Sequence, residues 1–183
     1  LIGENFRQLF RSEGSGCKAT RLPEFMTQLP FPLERQILVG TIRGDGHLAE
    51  YDRSRRRGLI THATISESLA WQLWRLALRQ GLSPALRVNR RNHPKTPNPI
   101  FTIDLYGMEV HSLAQETFGK SIDAPQKTKR LCFRGEKYLY IPVRSIEVDE
   151  YAGAVWNIEV ENSHTYVAGG VAVHNCLGHI HKH

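Results

Sequence analysis

Helical and strand periodicities alternate along residues 33–119 of this 183-residue chain, and this alternation constrains the fold more than any other feature. Apolar residues at helical spacing begin at Leu33 and stop at Gly44-Asp45-Gly46, which is typical of a helix end followed by a turn. In order, we predict a helix over 33–43, strands over 47–53 and 59–65, a helix over 66–81, strands over 84–91 and 99–106, and a helix over 107–119. The sequence therefore predicts an α+β fold with the order α-β-β-α-β-β-α.

The first two predicted helices each carry a stripe of apolar or small residues. In the first helix the stripe is Leu33, Ile37, Gly40 and Thr41, and in the second it is Leu69, Leu73, Leu76 and Ala77. The later strands separate polar from apolar faces, because successive side chains of a strand point to opposite sides. Arg87 and Asn89 share one face with Val88 opposite, and Thr102 and Asp104 share a face opposite Phe101, Ile103 and Leu105.

Positive charge is concentrated in the predicted α-β-β-α-β-β-α unit. The whole chain has a formal charge of +6, whereas residues 43–95 hold eleven Lys or Arg against four acids, or +7. Residues 136–175 hold two basic and six acidic groups, or −4. A basic half followed by an acidic half indicates two separate functions. The basic half is suited to a polyanion, because such clusters of positive charge usually serve to neutralise phosphates. The alternative is a solvated charged face without a ligand.

Residues 38–46 (LVGTIRGDG), followed by this element order, resemble the signature of LAGLIDADG homing endonucleases. Gly40 and Gly44 are four residues apart, so they lie on one helix face and allow a partner helix to approach backbone to backbone. Asp45 follows at the end of the helix, where its carboxylate and the partner's equivalent would hold divalent cations. Mg²⁺ prefers such oxygen ligands, and bridging metals suit phosphodiester hydrolysis.

The resemblance also implies a curved four-stranded sheet that lies in the major groove of double-stranded DNA. We expect the polar strand faces, including that of Thr102 and Asp104, to meet DNA. His47 and His62 fall near the catalytic end, and we interpret both as surface or turn residues without a catalytic role. The candidates for phosphate or base-edge contacts are Arg53, Arg55, Arg56, Arg57, Arg87, Asn89, Arg90 and Arg91.

A second chemistry is indicated at His174-Asn175-Cys176, after a short apolar strand. The Asn175 amide nitrogen can attack its own carbonyl carbon and close a succinimide, since both groups belong to one residue. The neighbouring imidazole would polarise the amide or protonate the leaving nitrogen near neutral pH. The Cys176 thiol would accept an acyl group. The alternative is a plain strand that ends in a polar turn.

The segment before this triad resembles the C-terminal splicing region of inteins. Residues 155–167 (VWNIEVENSHTYV) read as a strand, a polar turn and a second strand, and 169–175 (GGVAVHN) follow a glycine turn. The resemblance adds His164 to the catalytic set. It implies an all-β Hint segment, in which residues 138–148 form the preceding strand pair, and makes Asn175 the last intein residue.

We therefore predict a C-terminal portion of a self-splicing intein that carries a site-specific DNA homing endonuclease. The predicted regions are 1–30, the end of an earlier repeat and linker; 31–120, the endonuclease repeat; 121–175, the splicing region; and 176–183, the start of the host sequence, or extein. We find no Cys or Ser nucleophile followed by Thr-x-x-His, and one repeat cannot complete a nuclease site. An N-terminal intein half or a second repeat is the expected partner. A homodimeric nuclease and a splicing element with an inactive nuclease are the alternatives.

The remaining features concern the host and the compartment. Residues 178–181 (GHIH) resemble the metal-binding motif of calcineurin-like metallophosphoesterases, which suggests such a host, although a histidine cluster without a role is the alternative. A metallophosphoesterase fragment is the remote alternative for the chain itself. Three dispersed cysteines make no disulfide framework, and a free thiol at Cys176 needs a reducing compartment. We find neither a signal peptide nor a membrane span and expect a cytoplasmic location.

Overall fold

The computed structural model describes Phe10 and residues 16–49, 60–89, 98–107, 109–121, 133–135, 138–143, 145–154, 156 and 158–174. The chain divides into two compact units, Leu1–Pro142 and Val143–His183. Across the described parts of both units, no helix has the length and apolar character needed to cross a membrane.

The first unit has the predicted order of helices and strands. Its elements are α1 Phe31–Asp45, β1 Gly46–Leu48, β2 Ile60–Thr64, α2 Glu67–Arg79, β3 Ser83–Asn89, β4 Ile100–Tyr106 and α3 Glu109–Phe118. Helix α2 begins where we expected, because Ser66 is its N-cap and the Ser66 Oγ accepts the Leu69 N–H at 3.2 Å. Gly81 follows α2 with φ of 76°, a backbone conformation that favours glycine.

The strands form one antiparallel sheet with the order β1-β2-β4-β3. The side chains of Ile60, Ile103 and Leu105 on one face are buried in a core that α1, α2 and α3 complete. The predicted α2 stripe of Leu69, Leu73, Leu76 and Ala77 belongs to this core. Helices therefore cover one face of the sheet and leave the other to its polar residues.

Helix α1 is buried along a different stripe from the one we expected. Leu38, Val39 and Ile42 are in the core, whereas Leu33 is 52% exposed and Gly40 is exposed. Both stripes have helical spacing, so periodicity alone does not choose between them. The expected stripe is thus split, since Leu33 and Gly40 are open to solvent whereas Ile37 packs against the core.

The segment before α1 packs on α2. It contains two short 3₁₀ helices, Cys17–Ala19 and Glu24–Gln28. The Gln72 side-chain amide makes two hydrogen bonds with Leu22, since Oε1 accepts the Leu22 N–H at 2.8 Å and Nε2 donates to the Leu22 carbonyl at 2.9 Å. Residues 17–29 are therefore attached to the repeat that we predicted to begin at residue 31.

Much less regular structure follows α3. A two-residue ladder pairs β5 (Phe133–Arg134) with β6 (Leu139–Tyr140). In the second unit, β7 (Thr165–Ala168) pairs with β8 (Val171–His174).

The strand predicted in 155–160 and the strand pair predicted over 138–148 are wrong for the described residues, apart from β6. Ile146 and Trp156 are 82% and 91% exposed in these segments. A strand needs a hydrogen-bonded neighbour and a surface to cover its apolar face, and the described residues of this unit supply neither here.

Candidate functional site

Asp45 is the last residue of α1, and its side chain is exposed to solvent. The helix is closed just after it, because the Gly46 N–H donates to the Ile42 carbonyl. A Cβ at Gly46 would overlap that carbonyl oxygen and the Ile42 Cγ2 atom, so this close approach requires glycine. The turn therefore holds Asp45 at the boundary between helix and sheet.

His62 lies beside this turn, since it pairs with Gly46 across β1 and β2. It is only 3% exposed, and neither ring nitrogen has a hydrogen-bond partner among the described residues. Burial lowers the pKa of His62, and the Asp45 carboxylate opposes that shift. Our interpretation of His62 as a surface or turn residue is wrong, because it faces the helical layer; His47 is exposed on the opposite face.

The open face of α1 contains Gly40 and Gly44, as predicted from their spacing. A Cβ built on either glycine meets no described atom within 4 Å. Leu33 continues the same exposed face toward the start of the helix. This strip of small and apolar residues ends at Asp45.

Another side of α1 is fastened to α3 by two arginines. Arg35 makes a two-point contact with Glu116, Nε to Oε2 at 3.1 Å and Nη2 to Oε1 at 2.9 Å. Arg43 donates through Nη2 to the Glu116 carbonyl at 2.8 Å, at the C-terminal end of α3 where a cation is favourable. These contacts fix the rotation of α1 and keep its glycine face outward.

A third internal contact of α1 involves a buried acid that sequence patterns did not single out. Glu34 is fully buried, and its Oε1 lies 3.0 Å from Arg79 Nη1 in the last turn of α2. Burial raises the pKa of Glu34, and the Arg79 charge partly opposes this. The pair joins α1 to α2 within the repeat.

The polar sheet face presents Arg87, Asn89 and Thr102, as strand alternation predicted. Asp104 differs from the prediction, since it is 1% exposed and is not available for direct contact with a ligand. Its carboxylate forms an ion pair with Arg87 and accepts a hydrogen bond from the Thr61 hydroxyl at 3.0 Å. Alternation places these residues on one face, but only the register of the strands brings them together.

Several predicted site residues lie outside the described part of the chain, and their roles stay predictions. They are Arg53, Arg55, Arg56, Arg57, Arg90, Arg91, Asn175 and Cys176.

The described residues place one carboxylate, Asp45, at the predicted metal position. Among them, no group of three or more His, Cys, Asp or Glu side chains is arranged to hold a metal ion. An exposed carboxylate at the end of an open helix face is a suitable ligand for a hard cation. Among the described residues, Asp45 therefore supplies one such ligand at this position.

In the second unit, the β7–β8 hairpin brings His164 and His174 together. Their ring centroids are 6.2 Å apart, and Thr165, next to His164, pairs with His174. Gly169 and Gly170 both have positive φ, 58° and 87°, which suits a tight two-residue hairpin turn. His164 itself has φ of 48°, which is uncommon for a residue with a side chain.

Comparison with known proteins identifies a domain in the first unit. Residues 32–122 match the protein family described as LAGLIDADG-like domain, so the chain contains such a domain. This family points to a DNA endonuclease of the homing or intein type, and such enzymes generally use a divalent metal.

Similar segments occur in proteins with quite different names. The chain is 34% identical over 144 residues to the ATP-dependent DNA helicase Hel308 of Thermococcus kodakarensis, covering 78% of this chain and 13% of the helicase. It is 26% identical over 171 residues to an iron-sulfur cluster assembly SufBD family protein of Mycobacterium tuberculosis, covering 92% and 18%. A DNA polymerase of Thermococcus hydrothermalis is 26% identical over 183 residues, covering 92% and 10%. The chain thus spans a small part of each of these relatives.

Proposed function

We propose that the LAGLIDADG-like domain at residues 32–122 is one half of a site-specific DNA endonuclease, and that it is joined to the C-terminal part of a self-splicing intein. The observation that carries the nuclease proposal is the position of Asp45. This exposed carboxylate ends a helix whose adjoining face is open at Gly40 and Gly44.

The open face of α1 fits a second helix of the same kind. Gly40 and Gly44 allow close backbone contact, and the exposed Leu33 gains from burial against a partner. Pairing brings a second acid beside Asp45 and completes a site that the described residues supply only in part. The partner is a second repeat or another copy of the chain.

Asp45 is the residue of this chain that would ligate the metal, for which we propose Mg²⁺. The cation would act as a Lewis acid on the phosphate and lower the pKa of a bound water. The polar sheet face would hold double-stranded DNA through Arg87, Asn89 and Thr102.

Cleavage of DNA by Asp45 variants tests the nuclease proposal. The substrate is a plasmid that carries the host gene without the segment that encodes this element, incubated with Mg²⁺ and the chain together with its upstream half. We expect the wild-type protein to linearise the plasmid and Asp45→Asn to retain DNA binding but lose at least about a hundredfold in rate. Arg75→Ala, an exposed change on α2, is the control. Wild-type rates for Asp45→Asn would contradict the proposal, and binding without cleavage by the wild type would favour an inactive nuclease.

The splicing proposal is supported by the hairpin of the second unit. It places His164 and His174 side by side directly before Asn175, which suits acid–base assistance of amide chemistry. The same unit also exposes large apolar side chains, including Val148, Trp156 and Val167. An N-terminal intein half is the occupant that we propose for them.

The relatives support an inserted element. Segments similar to nearly the whole chain occupy 18% of a SufBD family protein and 10% of a DNA polymerase. A module shared by proteins with such different names is expected of a mobile element that is excised from its hosts.

Release of the sequence after Asn175 tests this part. We expect the chain, assembled with its N-terminal half, to release the peptide that begins at Cys176, as measured by mass spectrometry. Asn175→Ala removes the cyclising amide and should abolish release, and His174→Ala should slow it by about a hundredfold. Unchanged release from Asn175→Ala would rule out Asn cyclisation.

A further inference from the structure

We infer that Asp104 is a positioning residue that holds Arg87 as a reader of guanine on the polar sheet face. The inference rests on the proposed DNA-binding function and assigns one base-specific contact within it.

The register of the sheet places the two residues on a diagonal. Arg87 is directly opposite Thr102, and Asp104 is two residues further along β4 on the same face. Diagonal neighbours in an antiparallel pair are within reach of a long side chain. Ala85 is directly opposite Asp104, so no bulky side chain separates the Arg87 guanidinium from the carboxylate.

The pair has one buried and one exposed member. The Asp104 side chain is 2% exposed and that of Arg87 is 62% exposed. A buried carboxylate must keep its partners, because an unpaired buried charge is costly. Asp104 uses one oxygen for Arg87 Nη2 and the other for the Thr61 hydroxyl at 3.0 Å. The carboxylate is therefore fixed by Thr61 of the neighbouring strand β2, and it fixes the Arg87 side chain in turn.

The arrangement favours a base over a phosphate as the ligand of Arg87. Asp104 neutralises the Arg87 charge, so the pair attracts a phosphate weakly and releases few counterions on binding. A guanidinium has five N–H donors, and the Asp104 contact through Nη2 leaves others for a ligand. A pre-oriented planar group of this kind matches the O6 and N7 atoms of guanine in the major groove.

Selection from a random-sequence duplex pool tests the inference with the wild-type chain and its Asp104→Asn variant, each assembled with the upstream half. We expect the wild type to prefer guanine at one position by roughly 5- to 150-fold, the range for one two-point contact. Asp104→Asn should lose that preference while other positions keep theirs. Arg75→Ala, which removes an arginine from the helical layer, is the matched control and should keep the wild-type preference.

Salt dependence separates positioning from a loss of structure. Asp104→Asn leaves the Arg87 charge uncompensated, so its binding to random duplex should become tighter and its log–log salt slope steeper by up to about one. A misfolded protein would instead bind more weakly. Thr61→Val removes the second support of Asp104 and should weaken the guanine preference, and Thr61→Ser should restore it.

Two further outcomes separate the failure of this inference from the failure of DNA binding itself. If the wild type selects sequences and Asp104→Asn selects the same ones, the positioning role is overturned and DNA binding stands. If the wild type enriches no sequence even at low salt, sequence-specific DNA binding is overturned, and the assignment of Asp104 with it.

Discussion

At the scale of single residues, the position of Asp45 depends on Gly46. The Gly46 N–H closes the last turn of α1, and a Cβ at this position would overlap the Ile42 carbonyl. We expect Gly46→Ala to lower the free energy of unfolding by about 1–3 kcal/mol, because backbone must move to relieve the overlap. Urea unfolding followed by circular dichroism measures this change.

Gly44→Ala is the matched control for that experiment. It lies two residues earlier and has open space around its Cβ position, so it should not destabilise the repeat. Equal effects of the two substitutions would contradict the close approach described for Gly46.

His62 gives the stability of the repeat a specific pH dependence. Burial lowers its pKa in the folded state, so the unfolded chain binds more protons near the ordinary histidine pKa of about 6.5. The His62 contribution to stability is therefore present above that pH and is lost as the pH falls below it, at no more than about 1.4 kcal/mol per pH unit. The urea concentration at the unfolding midpoint should decrease when the pH is lowered from 7.5 to 5.5. His62→Leu should make this decrease smaller. Identical pH slopes in both proteins would contradict the account.

At the scale of elements, the sequence predicts the order of helices and strands in the first unit well. The apolar stripe of α2 follows a single face of the helix, so its buried side can be predicted. Ser66 marks the start of this helix and Gly81 marks its end. The α1 pattern is ambiguous, because Leu33 and Gly40 repeat with the same period as the buried Leu38 and Ile42. Leu38 and Ile42 are in the core and Leu33 and Gly40 are exposed, and periodicity does not distinguish the two pairs.

The Arg87–Asp104 pair shows why part of the candidate site could not be predicted. Alternation assigns both side chains to the polar face, and it gives no reason to bury one of them. Their contact depends on the register between β3 and β4, which is set by the pairing of both strands and not by either strand alone.

The second unit shows the same limit for strands. Gly169-Gly170 predicts the β7–β8 hairpin, because the turn is a local property. Residues 155–160 have strand periodicity, yet the described ones are not in a strand. A strand forms only when a neighbouring strand pairs with it. The exposed Trp156 and Ile158 would require such a neighbour from elsewhere in the assembled protein.

At the scale of the whole molecule, both units have surfaces that suit a partner. The first has the glycine face of α1 next to Asp45, and the second has exposed apolar side chains and a hairpin that pairs two histidines. The chain also spans only 13% of the helicase and 18% of the SufBD family protein that it resembles. These observations agree with a segment that acts within a larger assembly.

The most direct test of the proposed paired-helix nuclease is the rate of Mg²⁺-dependent plasmid linearisation by Gly40→Leu, assembled with the upstream half. Gly40 is more than one turn from Asp45, and its Cβ position is open, so this substitution should leave the repeat folded. A leucine there would prevent close approach of a second helix. We predict that Gly40→Leu unfolds at the same urea concentration as the wild type but linearises no plasmid, whereas Gln115→Leu on the exposed side of α3 cleaves normally. Cleavage by Gly40→Leu at the wild-type rate would contradict the account.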